Sequence, residues 1–311
     1  MVFCILVVSI YRQLHLQNNW HSSLLQIHSA LANGVLPIAT VFCLMFANWG
    51  IEAKKWQLVL KKHSPVSFGT SYKAVFTGNA LAFFTPNRVG EYFGRMLYLK
   101  SGARIASIPL TVVCSLAQIM VTLLAGGVGT MVLSDRIADV AGTGTNSWLN
   151  IGLYVTGAVV AVLTIFYFSI PFFAKRITGK KWMLHWSRHV RVLEDVNATM
   201  LLSILSLSVV RFVVFILQYY LLFGVFGVVV DWWQAFWAIS VVFFVIAVVP
   251  APGFLTELGI RWQAGLQVMQ LYSQNVAGIF AVSLAVWIIN LVIPALIGGI
   301  LVLALKLFRK Q

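Results

Sequence analysis

The chain has 311 residues, of which 60% are hydrophobic and only 10% are charged. A soluble domain carries about 25% charged residues, so this composition excludes the soluble class and indicates a polytopic membrane protein. The formal net charge is +14, but the Lys and Arg residues cluster in short segments between apolar runs, where they set membrane topology. No nucleic-acid-binding module is recognisable, so nucleic acid is not an expected partner.

The apolar runs, taken in chain order, predict the membrane segments. The N-terminal run is too short to cross a bilayer and is predicted to be a shortened first span. Full spans are predicted at residues 31–50, 105–133, 148–173, 200–230 and 276–305. Segment 51–63 is interpreted as an amphipathic stretch at the interface, with Trp56 at headgroup level. Two further runs, 74–84 and 235–249, are too short to cross, and each leads into a polar motif.

The distribution of Lys and Arg between the loops predicts the orientation of the chain. Segments 52–73, 95–104 and 174–191 and the C-terminal tail are rich in Lys and Arg and are predicted to be cytoplasmic. The loop 134–147 and the region of Asp231 are not, and are predicted to be external. Under this assignment, segments 74–94 and 235–270 must each enter and leave the membrane on one face, and the two faces are opposite.

The predicted fold class is therefore all-α: a polytopic transmembrane helical bundle with two oppositely oriented re-entrant helical hairpins. This arrangement is an inverted repeat, with a first half of about 31–133 and a second half of about 200–305. The whole chain, 1–311, is predicted to form a single integral membrane domain. Its expected location is the plasma (inner) membrane, with several passes and a cytoplasmic C-terminus. The oligomeric state is left open.

The same short pattern, P-x4-E-x3-R, occurs once in each short apolar region. The first copy contains Pro86, Glu91 and Arg95, and the second contains Pro252, Glu257 and Arg261. Charged side chains are costly in hydrocarbon, so both motifs are candidate functional sites. Each glutamate lies four residues before its arginine, so in a helix the two share a face and form an ion pair. The alternative is that these pairs are structural and only make burial tolerable.

Two further arginines are candidates for substrate binding. Arg88 lies beside the first break, where a guanidinium suits phosphate or carboxylate binding. The alternative is that it snorkels to the headgroups. Arg211 lies near the middle of span 200–230 and needs an internal partner, for which Glu91 and Glu257 are the candidates. A helix-packing ion pair is the alternative role for Arg211.

Proline and glycine residues are predicted to break the helices of the two hairpins. The predicted break residues are Pro86, Gly90, Pro250, Pro252 and Gly253, with Asn79 and Asn87 as supporting polar residues. Backbone freed at such breaks cannot face lipid, so the two tips are predicted to meet in one central cavity. The cavity would hold the six charged residues Arg88, Glu91, Arg95, Arg211, Glu257 and Arg261. The three cysteines and six histidines show no metal-ligand spacing, so neither a metal nor a cofactor is expected.

Three segments carry a family resemblance. GNALAFFTPNRVGEYFGRMLYL and VVPAPGFLTELGIRWQAGL resemble the two charged blocks of the flippase-like family of lysylphosphatidylglycerol synthase transmembrane regions. EAKKWQLVL is similar to the upstream element of that family. Asn87 stands where the family usually has glycine, and the second block lacks a usual serine and a second glycine. The resemblance implies paired re-entrant hairpins and movement of lipid or polyprenyl-linked headgroups across the bilayer.

The function predicted from these observations is lipid translocation, with membrane lipids as the partners. In bifunctional relatives a separate soluble domain attaches the amino acid to the lipid. The resemblance here is to the transmembrane region, so it does not imply synthase activity. No enzymatic function is expected. An ion-coupled carrier of a small anionic solute is the alternative. An intramembrane lipid-modifying enzyme is disfavoured, because no His, Asp, Cys or Ser constellation gathers near the charged motifs.

Overall fold

The computed structural model describes residues 34–141, 145–178, 189–249 and 254–308, and all regular secondary structure in these ranges is helical. The α-helices are α1 (Val35–Leu60), α2 (Phe68–Phe83), α3 (Gly90–Met96), α4 (Ser107–Val132), α5 (Ser134–Ala141), α6 (Thr145–Thr178), α7 (Ala198–Val225), α8 (Trp232–Val248), α9 (Phe254–Met269), α10 (Val276–Trp287) and α11 (Ile293–Phe308). A short π-helical segment, Ile288–Val292, joins α10 to α11. The all-α fold class is confirmed.

Five helical stretches of the described chain are long and apolar enough to cross a membrane. They are Val35–Leu60, Ser107–Val132, Asn150–Thr178, Ala198–Val225 and Val276–Leu305. Each overlaps one of the five full spans predicted from the sequence, so the polytopic membrane character is confirmed. The shortened first span predicted at the N-terminus lies outside the described residues.

The chain divides into two compact units. Unit 1 comprises residues 1–46, 122–157 and 213–292, and unit 2 comprises residues 47–121, 158–212 and 293–311. The division falls within each of the five candidate spans, so each span contributes residues to both units. The single domain expected from the sequence stays a prediction.

Helices α2 and α3 of unit 2 form a tight antiparallel hairpin, against which α11 packs. Ser67 caps the N-terminus of α2, because its Oγ accepts a hydrogen bond from the Thr70 amide at 3.2 Å. The two limbs approach at backbone distance, since a Cβ placed on Gly94 would lie 2.5 Å from the Cα of Gly78. The hairpin therefore requires glycine at this crossing.

Gly298→Ala is expected to destabilise the protein by about 1–3 kcal/mol, because a methyl group there overpacks the contact between α11 and α2. Its Cβ would lie 2.0 Å from the carbonyl oxygen of Phe76, a backbone atom that cannot move aside. Gly299→Ala is the matched control, since nothing lies within 4 Å of the added Cβ and alanine has the higher helix propensity. Thermal unfolding of both purified variants in detergent measures the difference, and equal melting temperatures would contradict the packing.

Helices α8 and α9 of unit 1 also pack against each other, and α9 packs against α10. A capping box closes the N-terminus of α8. The Asp231 side chain accepts from the backbone N–H of Gln234, and the Gln234 side-chain oxygen accepts from the backbone N–H of Asp231. Trp262 of α9 is fully buried, with its ring edge-on to Phe280. The connection between α8 and α9 carries the predicted breaks Pro250, Pro252 and Gly253, and these three lie outside the described residues.

The structure buries one face of segment 51–63, which was interpreted from the sequence as an amphipathic stretch at the membrane interface. Helix α1 continues to Leu60, and one face of these last turns packs into unit 2. Trp56 is fully buried there, and its indole Nε1 donates to Thr111 Oγ1 at 3.1 Å. Glu52 and Lys55 on this face are buried as well, and they form an ion pair with each other. Because the segment is rich in lysine, its sequence did not indicate that one face is buried.

Candidate functional site

The break between α2 and α3 is a tight turn at Pro86–Arg88 in which two residues adopt left-handed backbone conformation. Asn87 has φ 52° and Arg88 has φ 58°. This conformation costs an L-residue about 1–2 kcal/mol, and asparagine is among the few residues that visit it routinely. An arginine held there is a backbone outlier of the kind that clusters at functional sites.

The freed backbone of the break is satisfied inside the hairpin. Thr85 Oγ1 accepts from the Gly90 amide at 2.8 Å and donates to the Leu81 carbonyl at 3.0 Å. A Cβ on Gly90 would lie 2.3 Å from the Leu81 carbonyl oxygen, so the start of α3 can approach α2 only as glycine. Pro86 and Gly90, both predicted as break residues, therefore bracket the turn.

Glu52 of α1 is the centre of the buried charges in unit 2. Its carboxylate lies 3.0 Å from Lys55 Nζ, 3.0 Å from Arg95 Nη2 and 3.5 Å from Arg211 Nη1. Arg211 also lies over the Trp49 ring, with its Cζ 5.4 Å from the ring centroid. Three cations from three helices therefore converge on one carboxylate.

Glu91 forms the outer part of the same arrangement. Its Oε1 accepts from Arg95 Nη2, and its Oε2 lies 3.6 Å from Arg88 Nε. Arg88 Nη2 donates to Asn79 Oδ1 at 3.2 Å. Arg95 therefore bridges Glu52 and Glu91, while Arg88 extends the network to the turn.

These residues form one charged cluster, which consists of Glu52, Lys55, Arg88, Glu91, Arg95 and Arg211. The side chain of Arg95 is 1% exposed, whereas that of Arg88 is 45% exposed, so the cluster reaches from the interior of unit 2 to its surface. Four cations face two carboxylates, which leaves a formal surplus of two positive charges. One of these surplus charges is on the half-exposed Arg88 and the other is buried. Uncompensated buried charge is costly, so the cluster is electrostatically suited to an anion.

Glu52 and Lys55 were not predicted as site residues. The expected acidic partners of Arg211 were Glu91 and Glu257, but its 3.5 Å ion pair is with Glu52. Glu52 and Lys55 lie three residues apart on one helix face, a spacing typical of a helical ion pair. That spacing is the local signal that could have identified them.

A second, smaller charged arrangement lies in unit 1, on α9 and α7. Arg261 Nη2 lies 2.9 Å from Glu257 Oε1, and its Nη1 donates to the Tyr219 hydroxyl at 2.9 Å. The Phe243 ring lies beneath the guanidinium, with Arg261 Cζ 6.0 Å from its centroid. The four-residue spacing does produce an ion pair here, and one cation faces one carboxylate. We call these two residues the Arg261 pair.

Comparison with known proteins places the chain in a family. The family model for the lysylphosphatidylglycerol synthase TM region matches residues 6–298. The chain belongs to this family. It is thereby related to membrane proteins named for lipid synthesis. Among curated proteins and among solved structures, no match to the chain was found.

The resemblance described from the sequence implies that glycine is usual in this family where the chain has Asn87. The left-handed φ of Asn87 gives a physical reason for both residues, since glycine and asparagine are the residues that adopt this conformation at least cost. Asparagine can therefore hold the turn that carries Arg88, as glycine would.

The predicted site residues of this family member are divided between the units. Arg88, Glu91, Arg95 and Arg211 meet in unit 2, with Asn79 and Asn87 beside them, whereas Glu257 and Arg261 lie in unit 1. The single cavity expected to hold all six stays a prediction. Among the side chains that the structure describes, no group of three or more His, Cys, Asp or Glu residues could hold a metal ion.

Proposed function

We propose that this protein is a flippase-like membrane lipid translocase that moves phospholipid or polyprenyl-linked headgroups across the bilayer without modifying them chemically. The observation that carries this proposal is the charged cluster, in which buried cations outnumber carboxylates beside a broken helix. Membership of a lipid-related family supports the same substrate class. The arginines would bind the phosphate, and the glutamates would pair with them between substrates.

The surroundings of Arg88 favour a lipid over a soluble anion. Phe84, Val89 and Phe93 all belong to the same hairpin, and all three are exposed. A half-exposed guanidinium among exposed apolar side chains suits an amphiphile, whose phosphate contacts the arginine while its tails stay in hydrocarbon. A soluble anion would need a water-filled path to the cluster, whereas these three side chains make the surface beside Arg88 apolar.

The lengths of the hairpin helices support re-entrant segments. Helix α2 has 16 residues and α3 has seven. At 1.5 Å per residue they are about 24 Å and 10 Å long, short of the roughly 30 Å hydrocarbon core. Helices α8 and α9, of 17 and 16 residues, are similarly short. Because each hairpin follows one long helix and precedes another, the order of elements in the two halves also supports the proposed inverted repeat.

Reconstituted vesicles provide the test of translocation. Wild-type protein in vesicles with headgroup-labelled lipids is expected to expose inner-leaflet label to a membrane-impermeant quencher. Arg88→Ala is expected to slow the exposure of the label about tenfold or more, because a charge-assisted hydrogen bond to phosphate is lost. Arg176→Ala is the matched control, since Arg176 is an exposed arginine near the end of α6 and outside the cluster.

A second measurement identifies what the cluster binds. Native mass spectrometry of gently solubilised wild-type protein is expected to show a co-purified phosphate-bearing lipid that Arg88→Ala loses and Arg176→Ala retains. The proposal is contradicted if wild-type vesicles move no labelled lipid faster than protein-free vesicles do. Uptake of a labelled soluble anion without lipid movement would instead favour the carrier alternative.

A further inference from the structure

All four carboxylate oxygens of the charged cluster face cations. Both oxygens of Glu52 face cations, with Oε1 on Arg95 and Oε2 on Lys55 and Arg211. Both oxygens of Glu91 do the same, with Oε1 on Arg95 and Oε2 on Arg88. An ammonium group that bound either carboxylate would therefore compete with the cations already paired to it.

The helix face next to Glu52 carries buried hydrogen-bonding groups that the other described residues do not satisfy. Asn48 is 0% exposed, and neither its Oδ1 nor its Nδ2 has a hydrogen-bond partner among the described residues. The same is true of Trp49 Nε1 and of Nε and Nη1 of Arg95. Buried polar groups in native proteins are normally hydrogen-bonded, so these five atoms have hydrogen-bonding capacity for a bound ligand.

These groups border the cluster. Asn48 precedes Glu52 by four residues on α1, which places the two on one helix face. Trp49 precedes Glu52 by three residues, and its ring contacts the Arg211 guanidinium. Arg95 is itself a member of the cluster. The unsatisfied groups are therefore an inward extension of the site that Arg88 begins.

The unsatisfied groups are nearly all donors. Four nitrogen atoms carry N–H groups, Asn48 Nδ2, Trp49 Nε1, Arg95 Nε and Arg95 Nη1, while Asn48 Oδ1 is the one acceptor among them. Exchanging the oxygen and nitrogen of the Asn48 amide does not change this count. A phosphate has several acceptor oxygens, so it complements such a set.

The formal charge completes the match. The cluster has a surplus of two positive charges, and a phosphate monoester carries about −1.5 to −2 at pH 7. A phosphodiester headgroup carries only one negative charge, and an added amine reduces the net charge further. Building on the proposed lipid-binding function, we infer that the site selects a lipid ending in a phosphate monoester or diphosphate and discriminates against headgroups that carry an ammonium group.

A lipid panel tests this selectivity. Purified wild-type protein at pH 8 is offered equal amounts of phosphatidate, phosphatidylglycerol and phosphatidylethanolamine, and native mass spectrometry measures the bound fraction of each. We expect phosphatidate to bind about tenfold more tightly than either of the others. Equal binding of all three, or preference for phosphatidylethanolamine, would overturn the inference while the translocation assay still tests the proposed function separately.

Inorganic phosphate distinguishes a lipid from a free anion as the source of the dianion. Failure of millimolar phosphate to displace phosphatidate supports a site that needs the lipid tail as well as the headgroup. Efficient displacement, with no lipid movement in vesicles, would support the dianion selectivity and contradict the translocase proposal. Selectivity for a phosphate dianion and lipid translocation can therefore be contradicted independently of each other.

Asn48→Leu separates ligand binding from folding. Leucine removes two unsatisfied buried polar atoms, so the ligand-free protein is expected to melt no lower than wild type, while phosphatidate binding falls about tenfold. A purely structural Asn48 would give the opposite pattern, with lower melting temperature and unchanged lipid selectivity. Trp49→Phe provides a second variant that removes the indole N–H and keeps one aromatic ring at this position; unchanged phosphatidate binding in both variants would overturn the inference.

Discussion

Glu52→Gln is expected to destabilise the protein by about 3–5 kcal/mol, because it removes the carboxylate on which three buried cations converge. Lys55 and Arg211 would lose their Glu52 ion pairs, while Arg95 would keep its contact with Glu91. A buried charge left without its partner costs far more than the pair itself contributes. The loss appears as a lower thermal unfolding midpoint of the purified protein, followed by tryptophan fluorescence.

Glu257→Gln is the matched control for this prediction. Glu257 pairs with one cation, and Arg261 keeps its hydrogen bond to the Tyr219 hydroxyl when the carboxylate is neutralised. The expected cost is about 1.5–3 kcal/mol, the usual range for a hydrogen bond to a charged group. If both variants melt at the same temperature, Glu52 is not the electrostatic centre of the cluster.

A double variant distinguishes electrostatic from steric loss at Glu52. Lys55 is fully buried beside Glu52, so Glu52→Gln combined with Lys55→Met removes one of the stranded cations together with the carboxylate. The double variant is expected to recover part of the stability lost in the single variant, because contacting residues are not additive. Simple addition of the two single effects would show that the loss arises from packing rather than from charge.

The membrane spans were predictable from sequence because hydropathy is a local property. A span needs only about 20 consecutive apolar residues, and each of the five candidate spans satisfies that condition without reference to the rest of the chain. The ion pairs Glu91–Arg95 and Glu257–Arg261 were predictable for the same reason, since a spacing of four is set by helix geometry alone.

Glu52 escaped prediction because its role depends on residues far along the chain. Its partners Arg95 and Arg211 come from α3 and α7, and no local pattern links those positions to α1. The lysines around Glu52 also resembled an ordinary cytoplasmic loop. The contacts of Arg88 could not be predicted for a different reason. Two consecutive residues with left-handed backbone conformation turn the chain so that Arg88 contacts Asn79 and Glu91.

Trp56→Ala is expected to cost about 3–5 kcal/mol, because it empties a fully buried indole site in the core of unit 2. The ring packs with Leu110, Tyr167 and Leu201 in one apolar cluster. Trp56→Phe keeps most of this volume and loses the hydrogen bond to Thr111, so it is expected to cost about 1 kcal/mol. Thermal unfolding in detergent measures both variants.

The same variant decides between two roles for a tryptophan next to lysines. A tryptophan at headgroup level would be largely exposed in detergent, and its replacement would change stability by about 0.5 kcal/mol or less. Trp233 supplies this comparison, since it is 65% exposed near the start of α8 whereas Trp56 is fully buried. A large loss in Trp56→Ala beside a small one in Trp233→Ala would establish that the last turns of α1 belong to the core. Because these turns also carry Glu52, packing of Trp56 would then help to fix the position of the charged cluster, and Trp56→Ala should weaken lipid binding as well as stability.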